Sequence, residues 1–395
     1  METRRSVLLI ASLVLSLGIS VFVTQDAVCF DASKKVNTSP SQKNGSPTKS
    51  PLSAKAWNAL SGKNYRAAIK AADQWISSEP KAALAYFVKG QACKQLGEKE
   101  HAVEAFSRAI KLDSKLDAAY GERGWLHYSA GRYREAERDF SALVALTPTA
   151  LAYTSRAQAN EKLGNAKAVI ADCTKVIQLN PKDLSSYELR ANALFKTGPY
   201  DMCVEDWKKA IALDPKAERL RLGLGYALTK TYDHEAVVEE MTKAIDCGIR
   251  TIEVYKIRAD AFYKQESYER CAEDLTVILT KFGTIERWKR WDYLKLRARA
   301  YLRNKEYAKS EKDSADALAI APDDSKSYYS RADARQHLGK FKEAIQDLTQ
   351  LIKYDPNDSK AFSMRAKIYE HIGQKANADS DRKTAIKLGE KQWGN

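Results

Sequence analysis

The chain has 395 residues, 44% of them hydrophobic and 29% charged, with a formal net charge of +14. That mixture, with 20 Tyr and 7 Trp, excludes a mostly disordered chain and is long enough for two or three compact domains or one extended array. The positive balance favours anionic partners without naming one, and charges of both signs are interspersed, as on an ordinary solvated surface.

Residues 1–29 have the plan of an export signal. Arg4 and Arg5 precede an apolar run from Val7 to Val23, and the small residues Ala27 and Cys29 follow. Cleavage is expected after Ala27 or Cys29, which makes the protein periplasmic, cell-envelope or secreted. The alternative is an uncleaved membrane anchor at residues 7–23, whose 17 residues are slightly short for a span. This segment is the one expected link to a membrane. Residues 30–53 read as a flexible linker rich in Ser, Pro and Lys, with Lys34, Lys35, Lys43 and Lys49 and no acid from residue 34 onward.

From residue 54 to 390 the chain repeats itself. "YGERGWLHYSAGRYREAERDFSALVALTP" (120–148), "YELRANALFKTGPYDMCVEDWKKAIALDP" (187–215) and "YSRADARQHLGKFKEAIQDLTQLIKYDP" (329–356) share one plan. Each has an apolar-periodic segment, a short break usually centred on Gly, a second periodic segment and a Pro stop, which predicts helix, turn, helix, turn. The intervals Pro148–Pro181 and Pro181–Pro215 are 33 and 34 residues. The first repeat is degenerate, the spacing lengthens near residues 283–291, and residues 391–395 read as a tail. The period and the positions of Tyr120, Gly124, Ala136, Phe140 and Pro148 resemble the tetratricopeptide repeat (TPR) family. The resemblance implies an all-α helical-hairpin solenoid of about ten repeats, a right-handed superhelix, acting as a non-enzymatic protein-interaction scaffold.

Two columns are small throughout. One runs Gly90, Gly124, Ala157, Ala191, Gly225, Ala259, Ala298, Ala332, Ala366; the other, twelve residues on, runs Ala102, Ala136, Val169, Cys203, Val237, Cys271, Ser310, Ala344, Ala378. Small side chains let paired helices approach closely, so Cys203 and Cys271 are expected in the core rather than as reactive thiols. Cys93 and Cys173 also fall on apolar positions. No CxxC pair or metal spacing appears.

Just before the small first-helix residue the family pattern has Leu, whereas here it is usually Arg. Sixteen residues later stands Asp. The pairs are Arg123 with Asp139, Arg156 with Asp172, Arg190 with Asp206, Arg258 with Asp274, Arg297 with Asp313, Arg331 with Asp347 and Arg365 with Asp381. The exceptions read Lys55 with Ala71, Lys89 with Ala105 and Leu224 with Glu240. Arg and Asp appear together or not at all, which predicts a bidentate, partly buried bridge within each hairpin. A pair used seven times is structural, not catalytic.

The resemblance also implies that first helices line a concave face where partners bind. One column there reads Lys162, Lys196, Lys230, Lys264, Arg303, His337, His371, with Asp333 nearby. Such a cationic ladder fits a peptide or protein segment; solvated surface is its plainer reading, and an anionic envelope polymer or nucleic acid is the alternative ligand. The two His lack companions for a metal site. Trp288, Lys289, Arg290 and Trp291 form a second candidate patch, read as a hydrophobic hinge with a basic rim or as a stacking surface. No GxSxG, HExxH, Walker or dinucleotide motif occurs, so no catalytic residue, cofactor or metal is expected.

Overall fold

The computed structural model of the chain describes residues 50–393, with side chains to residue 389. The described residues form twenty α-helices joined by short turns, without strands. In chain order these are α1 Pro51–Ser61, α2 Tyr65–Ser78, α3 Ala83–Gln95, α4 Lys99–Leu112, α5 Asp117–Ser129, α6 Tyr133–Leu146, α7 Ala150–Lys162, α8 Ala166–Leu179, α9 Leu184–Thr197 and α10 Tyr200–Leu213. They continue as α11 Glu218–Lys230, α12 His234–Asp246, α13 Ile252–Lys264, α14 Tyr268–Lys281, α15 Arg287–Arg303, α16 Tyr307–Ile320, α17 Ser325–His337, α18 Phe341–Tyr354, α19 Ser359–His371 and α20 Lys375–Trp393. Odd-numbered helices are the first of each repeat and even-numbered helices the second.

The chain divides into two compact units at Ala130/Gly131. The described part of the first holds α1 to α5, and the second holds α6 to α20, so the repeat at residues 120–148 contributes one helix to each. Within each unit every helix packs on the next in the chain. First helices of neighbouring hairpins also touch, as α1 with α3, α11 with α13 and α15 with α17, while no comparable contact joins successive second helices. The first helices therefore form the closely spaced layer.

Both ends of the array differ from the sequence boundaries. Helix α1 begins at Pro51, inside the stretch assigned to the linker, because Pro suits the first helical position and Ser53 is buried. Helix α20 runs to Trp393, past the expected start of the tail. The lengthened spacing near 283–291 is not a break: α15 is 17 residues long where most first helices have 13, so the inserted residues add about one turn to its start. The export segment and most of the linker lie outside the described residues.

Local chemistry sets the helix limits. Asp183, Asp233, Asp324 and Asp358 accept backbone N–H groups at the starts of α9, α12, α17 and α19. The turns from first to second helix each need one left-handed residue, Gly at 164 (φ +76°) but Tyr at 232 (φ 60°) and Glu at 266 (φ 60°). The small columns meet face to face. A Cβ on Gly90 would stand 2.7 Å from the Phe106 ring, and one on Gly225 would stand 2.7 Å from Met241 Cε. Cys203 Sγ and Ser310 Oγ donate across that crossing to the carbonyls of Ala191 and Ala298. A continuous apolar core runs from Tyr187 to Ala261 in the second unit.

Candidate functional site

Six guanidinium–carboxylate pairs join the helices of their own hairpins. Arg190 Nε and Nη2 donate to Asp206 Oδ2 and Oδ1 at 2.8 and 2.7 Å. Arg156–Asp172, Arg258–Asp274, Arg297–Asp313 and Arg365–Asp381 have the same two-bond form, and Arg331 binds Asp347 through Nε and Nη2. Arg123 and Asp139 lie in different units. The hydrogen bonds to Asp172, Asp206 and Asp381 raise the Arg156, Arg190 and Arg365 pKa values further above their ordinary value. For Arg258 and Arg297 burial opposes the charge, and the bonds to Asp274 and Asp313 outweigh it.

Sequence reasoning missed the third arm. Nη1 of Arg190 donates to Thr174 on the preceding second helix at 2.9 Å, and Arg258, Arg297 and Arg365 do the same to Thr242, Thr276 and Thr349. Arg123 Nη1 donates to Ser107 in the first unit. Arg190, Arg258, Arg297 and Arg365 thus each tie three helices rather than two. The signal was present in the sequence: a hydroxyl stands two residues after the Asp column, and Lys208 replaces it where the next first helix has Leu224. At Arg331 the equivalent residue is Ala315, and a second arginine compensates. Arg335 donates to Asp347 at 2.8 Å and to Glu311 of the preceding second helix at 3.0 Å.

The irregular hairpins solve the same problem differently. Lys89 Nζ reaches backward to Asp73 Oδ1 at 2.8 Å. Glu240 receives Nη1 of Arg221, one helical turn before Leu224, at 2.6 Å. Arg221 is 7% exposed and also donates to the Pro215 carbonyl.

The candidate ladder occupies the last turn of successive first helices. Lys162, Lys196, Lys230, Lys264 and Arg303 are all exposed and carry no ion pair among the described residues. A cation there also complements the helix dipole. His337 and His371 differ from them. The His337 ring stacks on Tyr307 at 4.3 Å, with Nδ1 2.9 Å from the Asp333 carbonyl and 3.3 Å from its carboxylate. His371 packs on Phe341 at 4.7 Å. Each imidazole thus covers an aromatic ring at the start of the preceding second helix, and Asp333 serves His337. Among the described residues no group of three or more His, Cys, Asp or Glu is placed to hold a metal ion.

The second candidate patch separates into unlike parts. Trp288 is 59% exposed, bonded through its indole N–H to Glu286, with Lys289 Nζ 5.4 Å from its ring. Arg290 is exposed. Trp291 packs against the core around Tyr293 and Leu294, under Lys295. Only Trp288 of the two indoles therefore faces outward. Burial pushes the Cys173, Cys203 and Cys271 thiols up to about 12, leaving them inert, whereas Cys247 is exposed. Among the described residues no helix is long and apolar enough to cross a membrane.

Comparison with known proteins follows the same repeat. A tetratricopeptide repeat profile matches residues 53–117 and 122–183, and another matches residues 325–358. The chain is 32% identical over 98 residues to small glutamine-rich tetratricopeptide repeat-containing protein 2 of Mycosarcoma maydis, covering 25% of this chain and 28% of that protein. It is 29% identical over 109 residues to Homo sapiens sperm-associated antigen 1, covering 24% and 12%, and 32% identical over 100 residues to Mus musculus mitochondrial import receptor subunit TOM70, covering 24% and 16%. The matches thus span less than a third of each relative's length. Among solved structures, YrrB, a TPR protein with an unusual peptide-binding site, aligns with a TM-score of 0.43 and 19% identity over 47% of this chain and 96% of its own. The P58(IPK) TPR domain aligns with a TM-score of 0.31 and 17% identity over 82% and 98%. The hairpins at residues 53–117, 122–183 and 325–358 therefore match tetratricopeptide repeats, and the other described helices continue the same all-α hairpin array.

Proposed function

We propose that the chain is a non-enzymatic, exported scaffold that holds a peptide or protein segment against its first-helix layer, on a concave face. The observation that carries this reading is the exposed run Lys162, Lys196, Lys230, Lys264 and Arg303, free of ion pairs among the described residues at equivalent places on neighbouring first helices. Cations repeated at the helix period offer a partner evenly spaced contacts for carboxylates and carbonyls, with the first-helix backbone as a rigid support.

Site-specific photo-crosslinking in the native host tests it. A photoreactive residue at position 196 or 230 is expected to give one discrete partner adduct, and one at Lys209 on second helix α10 none. Equal adducts from both positions sink the first-helix assignment. Export is tested separately by N-terminal sequencing of the protein from its host. A mature chain starting at Val28 or Phe30 supports cleavage, and an intact Met1 in the membrane fraction supports the anchor.

A further inference from the structure

Three successive first helices bring phenols and carboxylates to one place. Tyr226 stands one residue after the small column on α11, and Asp260 holds the same position on α13. Glu253 lies in the first turn of α13, and Asp292 and Tyr293 lie on α15. Helix α11 packs on α13, and Tyr293 shares a core cluster with Ala259 and Phe262 of α13.

Tyr293 is 7% exposed, so its ring is held in the core, yet its hydroxyl makes no hydrogen bond among the described residues. Burial, and then the charges of Glu253, Asp292 and Asp260, push that phenol up to about 12. Tyr226 is 36% exposed. Its phenol is raised by burial and then by Glu253 and Asp260, and no cation opposes them. Both phenols are therefore neutral near pH 7, with oxygens able to accept a hydrogen bond, in a negative field.

The cations nearby are engaged elsewhere. Lys256 Nζ is 2.6 Å from Asp260, and Lys295 Nζ is 3.2 Å from Asp292 and 3.7 Å from the centre of the Trp291 ring. Arg299, next along the column, lies 5.1 Å from the Tyr263 ring. Glu253 is exposed and has no ion pair among the described residues, and Tyr226 has no ring or cation contact among them. A free carboxylate, an open aromatic face and a hydroxyl without a partner thus converge. An ammonium or guanidinium group answers all three, by an ion pair, a cation–π contact and an N–H donated to a phenol oxygen.

We propose that Glu253, Tyr226 and Tyr293 take a lysine or arginine side chain of the segment held against the first-helix layer. This rests on the first-helix reading and adds a register to it. Lys230 and Lys264 stand one helical turn beyond Tyr226 and Asp260 on the same helices. A basic residue of the segment is therefore accepted here and repelled at the neighbouring ladder.

The probes are two fluorescein-labelled peptides, Gly-Glu-Glu-Arg-Glu-Glu-amide and the same peptide with citrulline in place of arginine, titrated into the full chain and followed by anisotropy. Citrulline keeps the shape of arginine and removes its charge, so a merely cationic face binds the citrulline peptide more tightly. The arginine peptide is expected to bind about fivefold more tightly instead. Glu253→Gln is expected to erase that preference and Tyr293→Phe to reduce it. Glu273→Gln makes the same charge change on the exposed face of second helix α14 and is expected to leave it intact. Circular dichroism checks that each variant is folded. Equal or tighter binding of the citrulline peptide overturns the proposal, as does a preference that survives Glu253→Gln or is lost equally in Glu273→Gln. Failure of both peptides to bind the wild-type chain overturns it too, and the crosslink from position 196 or 230 then shows whether the first-helix reading falls with it.

Discussion

At the scale of single residues, the guanidinium decides how a hairpin is held. Arg190 and Asp206 are mostly buried, so each is tolerated only because the other is there. Asp206→Leu is expected to cost about 3–5 kcal/mol in urea denaturation, and Arg190→Leu with Asp206→Leu much less; equal losses refute the coupling. Thr174→Val removes the third arm and is expected to cost about 1.5–3 kcal/mol, the range for a hydrogen bond to a charged group. Glu311 gives a pH test. Its burial favours protonation, but Lys340 and Arg335 outweigh this and hold its pKa below the ordinary 4.5. A depressed carboxylate contributes stability that is complete above 4.5 and lost as pH falls through the folded value. The deficit of Glu311→Gln relative to wild type is therefore expected near pH 7 and should shrink below pH 4.5 in acid-titrated melts. The bridge partners could be read from the sequence because Arg and Asp change together. The hydroxyl arm was harder to see, since Ser and Thr are common on helix surfaces and only the packed neighbour shows what they face.

At the scale of elements, the turns and the small columns set the geometry. Glu266 holds φ 60° where Gly164 holds +76° in an equivalent turn. An L side chain in that region costs about 1–2 kcal/mol. Glu266→Gly is therefore expected to raise the unfolding free energy, by about 1 kcal/mol once the added chain entropy is counted, and Gly164→Ala to lower it by a similar amount. Urea midpoints that move in the opposite directions would contradict the assignment. The extra turn of α15 shows what periodicity leaves open. The repeat spacing marks an insertion near 283–291 but not its conformation; Trp291, Tyr293 and Leu294 have a core to reach, and helix forms to present them.

At the scale of the whole molecule, packing along the array decides which groups reach solvent. Cys93, Cys173, Cys203 and Cys271 are buried between helices, while Cys247 sits exposed after α12. With thiols pushed to about 12, the thiolate fraction at pH 8 is on the order of one in ten thousand. Native labelling with a maleimide, in a Cys29→Ser chain, is expected to mark Cys247 first. Labelling of Cys173, Cys203 and Cys271 should wait for denaturant, as read by peptide mass mapping. Fast labelling of Cys203 in the folded chain would show that the hairpin crossing opens without global unfolding.

Repetition made much of this legible from the sequence. A helix-turn-helix period, a Gly or Pro at most boundaries and paired substitutions in two columns are local signals, and each recurs often enough to be read without coordinates. Neighbour contacts are different, because they depend on which faces meet. His337 and His371 looked like the end of a cationic ladder, and became covers for Tyr307 and Phe341 once the preceding hairpin was in place.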